Sequence, residues 1–251
     1  MKKIVAPLLA ILMLCGCARE KGPAPAPTEP TGPVLVPTVP PTRPPVVVPE
    51  VEEIPEQDNP LFDPWDCEVL VGKWLMTVEI PSDFMNVPDF TGTASFPVTW
   101  AFDEDGRYTV TLEQKSYSDA ILGYENQLVD FMMEGYYSRF VAEKMISDLS
   151  DEEIQYRWEW TDQGRSKYQT MTHDFLDQYG LRDVYTQLIR GGYYYVEDDI
   201  LHLTYGETEE TFHFKVDEEG LILSDSSRIG FYDRLLRIRF PTALKPLDQA
   251  G

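Results

Sequence analysis

Two histidines in the C-terminal part of the chain are the residues with the clearest capacity for chemistry. His202 lies in the apolar run DILHLTY and His213 in the run TFHFKV, and the stretch GETEE between them is typical of a hairpin turn. If Leu203 faces Phe212 across this hairpin, His202 lies directly opposite His213. Two adjacent imidazoles can begin a zinc site or respond to acid. Zinc needs a third ligand, and the only candidates are carboxylates remote in the sequence. The competing interpretation is a solvated cross-strand pair of histidines. We therefore predict no metal.

Other residue types that serve in enzymes occur here without the spacing that catalysis requires. Acidic residues are abundant, but glycoside hydrolysis depends on the distance between two carboxyl groups, which a sequence does not give. Cys67 has no local motif that supplies a base, so a small buried residue is its first interpretation, with a nucleophile or an intermolecular disulfide as alternatives. The stretch SDSS resembles no nucleophile elbow, and no glycine-rich phosphate loop follows a predicted strand. We therefore predict no catalytic residue and no cofactor.

Aromatic residues provide the remaining candidate site. Tyr193, Tyr194 and Tyr195 are consecutive, and Trp158 lies in the run RWEW. Tyr and Trp are common in ligand platforms, because they combine a large apolar face with a polar group. We predict Trp158, Tyr193 and Tyr195 as ligand-binding residues, with simple core packing as the competing interpretation. On a strand, Tyr194 faces the opposite side from its two neighbours.

Strands with period-two alternation must position these residues. The runs VGKWLMTVEI, SFPVTWAF and RYTVTL form a first block, and GGYYYV, DILHLTY, TFHFKV and GLILS form a second. Two hairpins close with the similar turns DEDG and DEEG, which place Gly106 and Gly220 where a positive φ is needed. Sequential hairpins predict an antiparallel meander that curls into a barrel or lies as a half-open sheet.

The segment between the two β blocks, at about residues 116–190, has the sequence pattern of helices. Ser150 and Glu153 form a capping box before a helical run. We therefore predict an α+β fold, in which a helical insertion separates the third strand of the meander from the fourth.

The N-terminus reads as an export signal. Lys2 and Lys3 precede the apolar run IVAPLLAILMLCG, which is too short to span a bilayer, since a spanning helix needs about 20 residues. The run ends in Leu14-Cys15-Gly16-Cys17, which resembles the lipobox of bacterial lipoproteins. This resemblance implies that residues 1–16 are a signal peptide and that Cys17 carries fatty acyl chains such as palmitate. The mature protein would then be anchored by lipid to a cell membrane, on its extracytoplasmic side.

Residues 17–60 follow as a proline-rich linker. Proline fixes φ and removes a backbone donor, so this text favours extended polyproline II, which over some forty residues reaches on the order of 100 Å. Residues 61–251 have the length of one domain.

The domain itself resembles the lipocalin-like domains of bacterial lipoproteins. The resemblance lies in LVGKW, where Gly72-x-Trp74 opens the first strand, and in FDEDGRYTV and YYYVEDDILHL. It implies a β-barrel whose mouth binds small apolar molecules. Seven strands are recognisable, and we expect the tail RLLRIRFPTALKP to supply the eighth through Leu236, Ile238 and Phe240.

The net charge of the chain limits the classes of partner that it can bind. A formal net charge of −22 argues against nucleic acid, whose phosphates require Lys and Arg. We expect non-catalytic binding of a small apolar ligand or of an envelope protein, with the membrane contacted through the N-terminal lipid. The alternatives are a hydrolase of cell-surface polymers and a structural envelope component without a ligand.

Overall fold

The fold is a closed antiparallel β-barrel of eight strands, seen in a computed structural model that describes residues 46–56, 59–142, 165–166 and 169–247. Each strand pairs with its neighbours in the chain, and the last closes on the first. The strands are β1 (Gly72–Ile80), β2 (Ala94–Phe102), β3 (Arg107–Leu112), β4 (Arg190–Glu197), β5 (Ile200–Tyr205), β6 (Thr208–Asp217), β7 (Gly220–Ser226) and β8 (Thr242–Pro246). The predicted antiparallel barrel is therefore confirmed.

Helical elements accompany the barrel. They are α1 (Pro64–Cys67) with the 3-10 turn Glu68–Leu70, α2 (Gln114–Ala142), helical residues 169–178, α3 (Leu181–Val184) with the 3-10 turn Tyr185–Leu188, and a π-helical turn at Phe231–Leu236. In chain order α2 and α3 fall between β3 and β4. The predicted insertion at 116–190 includes residues 143–164, which lie outside the described residues. No helix among the described residues is both long enough and apolar enough to cross a bilayer.

Period-two alternation fills the interior of the barrel. Every second residue of β1 from Trp74 onward and of β2 from Phe96 onward is buried: Trp74, Met76, Val78, Ile80, Phe96, Val98, Trp100 and Phe102. The predicted turn glycines have positive φ, 76° at Gly106 and 124° at Gly220, so both hairpins close as the sequence indicates. At Gly192, β4 passes so close to β5 that a Cβ atom would lie 1.8 Å from the carbonyl oxygen of Thr204.

Side chains cover both ends of the barrel. At the end where β1 finishes, called the helical end, Phe96 lies with its ring centroid 5.0 Å from those of Tyr117 on α2 and Tyr185. At the opposite end, the ring of Phe62 contacts Tyr194 at 5.5 Å, and Leu70 is fully buried. The open mouth that the lipocalin resemblance implies is thus covered by aromatic and aliphatic groups.

The segment 46–56, at the end of the predicted linker, contacts the domain. The backbone N–H of Val46 donates to Ser118 Oγ at 3.2 Å, and Gln114 Nε2 donates to the carbonyl oxygen of Val46. Further along the segment, the hydroxyl of Tyr193 donates to the carbonyl oxygen of Pro55. The last residues before the domain therefore lie across the outer face of the barrel, from α2 to β4.

The eighth strand was predicted in the right part of the chain but at the wrong residues. Leu236, Ile238 and Phe240 do not form it; β8 is Thr242–Pro246, and Leu244 is its buried residue. Leu236 ends the π-helical turn, and Arg237 has a φ of 57° that an extended strand does not allow. Leu236 and Ile238 are nevertheless buried, so their alternation reflects packing rather than strand structure.

Candidate functional site

A buried ion pair crosses the interior of the barrel. Arg190 opens β4, and Glu210 lies on β6; their side chains are 5% and 0% exposed. Arg190 Nη2 donates to Glu210 Oε2 at 2.9 Å. Both residues occupy inward positions of the strand alternation, since Arg190 shares a face with Tyr194 and Glu210 shares one with Phe212. Burial of a charge is costly unless the charge is paired, so this pair is the feature of the interior that most needs an explanation.

Hydroxyl groups complete one side of the pair. Arg190 Nη2 also donates to the hydroxyl oxygen of Tyr232 at 2.6 Å, and Tyr232 comes from the π-helical turn at the helical end. Ser226 Oγ donates to the second carboxylate oxygen of Glu210 at 3.1 Å. Both oxygens of Glu210 are thus satisfied.

Aromatic rings enclose the guanidinium. Its Cζ atom lies 5.5 Å from the ring centroid of Trp100 and 5.2 Å from that of Tyr205. Both distances are within the range of cation–π attraction. The rings hold the cation in place, and among the described residues neither ring forms a hydrogen bond with Nε or Nη1 of Arg190.

Several donors in this cluster have no partner. In the described part of the chain, no acceptor of suitable geometry meets Arg190 Nε, Arg190 Nη1, Trp100 Nε1 or the hydroxyl of Tyr108, and all four atoms are buried. Buried polar groups in proteins are normally hydrogen-bonded, and each exception calls for a physical reason. We call this set the Arg190 cluster; its members are Trp100, Tyr108, Arg190, Glu210, Ser226 and Tyr232.

The protonation states of the cluster follow from burial and neighbouring charge. Burial lowers the pKa of Arg190, but the hydrogen bond to Tyr232 and the negative charge of Glu210 raise it by more, so the guanidinium stays charged. Burial raises the pKa of Tyr108 and of Tyr232, and the nearby Arg190 offsets only part of this rise. Both phenols are therefore neutral at physiological pH. The cluster contains one cation, one carboxylate and an excess of hydrogen-bond donors.

The predicted ligand-binding residues lie elsewhere. Tyr193 and Tyr195 are on the outer face of β4, half-buried, whereas Tyr194 between them is fully buried in the interior. Tyr193 lies under the segment 46–56, and Tyr195 stacks on His202 with ring centroids 4.3 Å apart. Trp158 lies outside the described residues. The ligand-binding role of these three residues stays a prediction, and the structure brings neither tyrosine into the Arg190 cluster.

The predicted pairing of the two histidines is wrong. Thr211 lies opposite His202, and Ile200 lies opposite His213, because the pairing is shifted by two residues and the hairpin turn lies one residue earlier than expected. Each imidazole instead has its own carboxylate: His202 Nδ1 is 3.0 Å from Glu209 Oε1, and His213 Nδ1 is 3.3 Å from an oxygen of Asp199. Across the ranges that the structure describes, no three His, Cys, Asp or Glu side chains group as a metal site would require.

Cys67 is fully buried at the end of the barrel opposite the helical end. Burial raises the pKa of its thiol, with Asp66 and Asp63 contributing in the same direction. A buried thiol with a raised pKa is a poor nucleophile, which agrees with its interpretation as a small packing residue.

The sequence carries a signal for the Arg190 cluster in the position of its two charged residues within the strand alternation. Arg190 stands two and four residues before Gly192 and Tyr194, and Glu210 stands two before Phe212, so both have the parity of the buried positions. A charged residue at an inward position is the pattern that indicates a buried polar site.

Comparison of the chain with protein-family models, with curated proteins and with solved structures gives no match. The geometry of the barrel is therefore the basis on which a function can be assigned.

Proposed function

We propose that the protein is a lipid-anchored binding protein of the cell exterior, which holds a small, mainly apolar molecule in its barrel and does not transform it. The observation that carries the proposal is the set of unpaired donors on Arg190, Trp100 and Tyr108 in an otherwise apolar interior. A pocket of apolar walls with a few convergent polar groups is the usual composition of a ligand site.

The size of the ligand is limited by the aromatic packing around the cluster. Phe212 lies with its ring centroid 5.9 Å from Trp100 and 5.7 Å from Tyr232, so these rings contact one another. A ligand of one ring or a short chain therefore enters only if these rings move apart. A larger ligand requires the side chain of Tyr232 to move outward from its hydrogen bond with Arg190.

The anchoring part of the proposal rests on the residues around Cys17, which lie outside the described residues. Their resemblance to a lipobox and the proline-rich text that follows support a domain held near, but not in, a membrane.

Binding is tested with the chain that starts at Ala18, which contains every described residue and lacks the predicted lipid. Small aromatic and aliphatic molecules are titrated while the thermal midpoint is measured, and we expect saturable binding of one molecule per chain with a rise in the midpoint. Recovery of the ligand unchanged separates binding from hydrolysis. A flat response to every chemical class would contradict the proposal.

Two tyrosines supply matched variants for this test. Tyr108 and Tyr185 each have a buried hydroxyl without a partner among the described residues, but Tyr185 packs against Phe96 and Tyr117, outside the Arg190 cluster. Tyr108→Phe is expected to weaken binding by about tenfold, the worth of one hydrogen bond. Tyr185→Phe is expected to leave the affinity unchanged. Equal effects of the two variants would place the ligand outside the cluster.

An envelope protein is the second candidate for the partner, and exposed apolar residues favour it. Trp65 on α1 is 83% exposed, and Leu61 and Val69, each four residues from it in the chain, are 61% and 55% exposed. Exposed tryptophan is enriched at protein interfaces. A photo-crosslinking residue at position 65 is expected to give one discrete adduct in native cells. A control position on exposed Lys115 is expected to give none.

A further inference from the structure

We propose that the ligand of the Arg190 cluster is an uncharged molecule that presents a carbonyl oxygen to the cluster and an apolar body to the barrel wall. This inference rests on the proposed function, because it names the chemical class that the same site selects.

The hydrogen-bond inventory of the cluster requires an acceptor. The guanidinium has N–H groups on Nε and Nη1 to donate and no acceptor of its own, and the indole of Trp100 is likewise a donor only. The phenol of Tyr108 lies beside Arg190; its oxygen faces the guanidinium, and its O–H is a further donor. A hydrocarbon would leave all of these donors unpaired. A carbonyl oxygen has two lone pairs and accepts from two of them at once.

The charge of the cluster excludes an acid. Glu210 already neutralises Arg190 at 2.9 Å, and both oxygens of Glu210 are hydrogen-bonded. A ligand carboxylate would add a second negative charge to a buried pair that is neutral as a whole, without a second cation to balance it. The net charge of −22 on the chain opposes the approach of an anion as well. Arg190 therefore acts here as a source of donors rather than as an unpaired positive charge.

Glu209, the residue before Glu210, provides a control for the effect of the Glu210 charge inside the barrel. Glu209 precedes it on β6 but points outward, where its carboxylate contacts His202 and its side chain is 57% exposed. Glu209→Gln and Glu210→Gln change the net charge equally, and only the second removes the neutralising charge from the interior. The pair is thus a matched test of the charge argument.

The experiment uses three probes of nearly equal shape: acetophenone, isopropylbenzene and benzoate. Titration of the chain from Ala18 by calorimetry is expected to give acetophenone at least about tenfold tighter than isopropylbenzene, because one to two hydrogen bonds distinguish them. Benzoate is expected to bind at least about a hundredfold more weakly than acetophenone, because of the uncompensated charge. Acetophenone labelled with ¹³C at the carbonyl is expected to show a downfield shift on binding, which reports the hydrogen bond directly.

Glu210→Gln is expected to invert the order, so that benzoate becomes the tightest probe, since Arg190 then lacks its carboxylate. Glu209→Gln is expected to keep the wild-type order. If Glu210→Gln does not fold, the ¹³C shift and the order of the three probes in the wild-type chain still decide the matter.

The outcomes separate the two proposals. Binding of none of the probes, and of no other small molecule, would overturn the proposed function and this inference with it. Equal affinity for acetophenone and isopropylbenzene would leave a ligand-binding barrel but overturn the carbonyl assignment. Benzoate as the tightest probe of the wild-type chain would overturn the charge argument.

Discussion

Replacement of the buried ion pair by apolar residues is expected to separate stability from binding. The variants are Arg190→Met, Glu210→Met and the double variant; methionine matches the length of glutamate and is two atoms shorter than arginine. Each single change leaves one buried charge without its partner, because Arg190 and Glu210 are 5% and 0% exposed. Removal of one member of such a pair costs about 3–5 kcal/mol of the free energy of unfolding.

In the double variant, the contributions to the free energy of unfolding differ from those in the single variants. An apolar replacement of a whole buried pair is neutral or stabilising by about 1–4 kcal/mol. Against this gain, the hydroxyl of Tyr232 loses its partner on Arg190, at a cost of about 1–3 kcal/mol. Ser226 Oγ keeps the backbone N–H of Arg228 as a donor at 3.0 Å, so its loss is smaller. The double variant is therefore expected to unfold within about 2 kcal/mol of the wild type.

Urea unfolding of the chain from Ala18 measures these differences. With a slope of about 2 kcal/mol per molar urea, the single variants are expected to unfold at about 1.5–2.5 M less urea than the wild type. The exposed pair Lys115–Asp119 provides the control, and Lys115→Met is expected to leave the midpoint unchanged. If the double variant loses as much stability as the two single variants combined, the two side chains do not act as a pair and the reasoning fails.

Three further predictions concern other parts of the chain. Cys67, the only cysteine after Cys17, is expected to react with a thiol reagent at pH 8 at least about tenfold more slowly in the folded protein than in urea, because burial raises its pKa; equal rates would show that it is accessible. Gly192→Ala is expected to prevent folding, as judged by circular dichroism, whereas Gly123→Ala, which meets open space on α2, is expected to stabilise the protein by about 0.5–1 kcal/mol. Cys17→Ser is expected to move the protein from the detergent phase to the aqueous phase in a partition assay, and Cys15→Ser is expected to leave it in the detergent phase.

The strands of this barrel could be predicted because period-two alternation was nearly unbroken. In β1, Trp74, Met76, Val78 and Ile80 are buried while their neighbours are more exposed, as expected for a sheet that encloses an apolar core. The turn before β3 could be predicted equally well, since Gly106 has the positive φ that glycine adopts readily.

The register of the hairpin formed by β5 and β6 could not be predicted from this alternation. A shift of two residues leaves every side chain on its own face, so the pattern around His202 fits the predicted and the observed pairing equally well. The observed hairpin closes through Gly206, whose φ is 57°, with Tyr205 opposite Thr208. Only the identity of that turn distinguishes the two registers.

The prediction of the residues of the eighth strand was wrong for a related reason. Leu236 and Ile238 alternate and are both buried, which is the pattern of a strand. Their burial comes from a π-helical turn that closes the helical end, where the N–H of Ile238 donates to the carbonyl oxygen of Tyr232 at 2.9 Å. Local alternation cannot distinguish a strand from a turn that packs against a barrel end.

The Arg190 cluster depends on closure of the barrel. Arg190 and Glu210 are on strands that are not adjacent, β4 and β6, so their contact runs through the interior rather than along a hairpin. Tyr232 reaches them from a segment between β7 and β8. Parity could have shown that each charge points inward, but which groups meet there follows only from the closed topology.

The stability of the barrel does not by itself account for this cluster. A pair of apolar side chains would fill the same space at no greater cost, whereas Arg190 holds N–H groups that no described residue satisfies. An acceptor on the ligand pairs with those donors, so the bound state gains hydrogen bonds with the protein. Ligand binding should therefore raise the free energy of unfolding of the wild type but not of the Arg190→Met, Glu210→Met double variant. A double variant that is as stable as the wild type and still gains stability from acetophenone would place the ligand elsewhere.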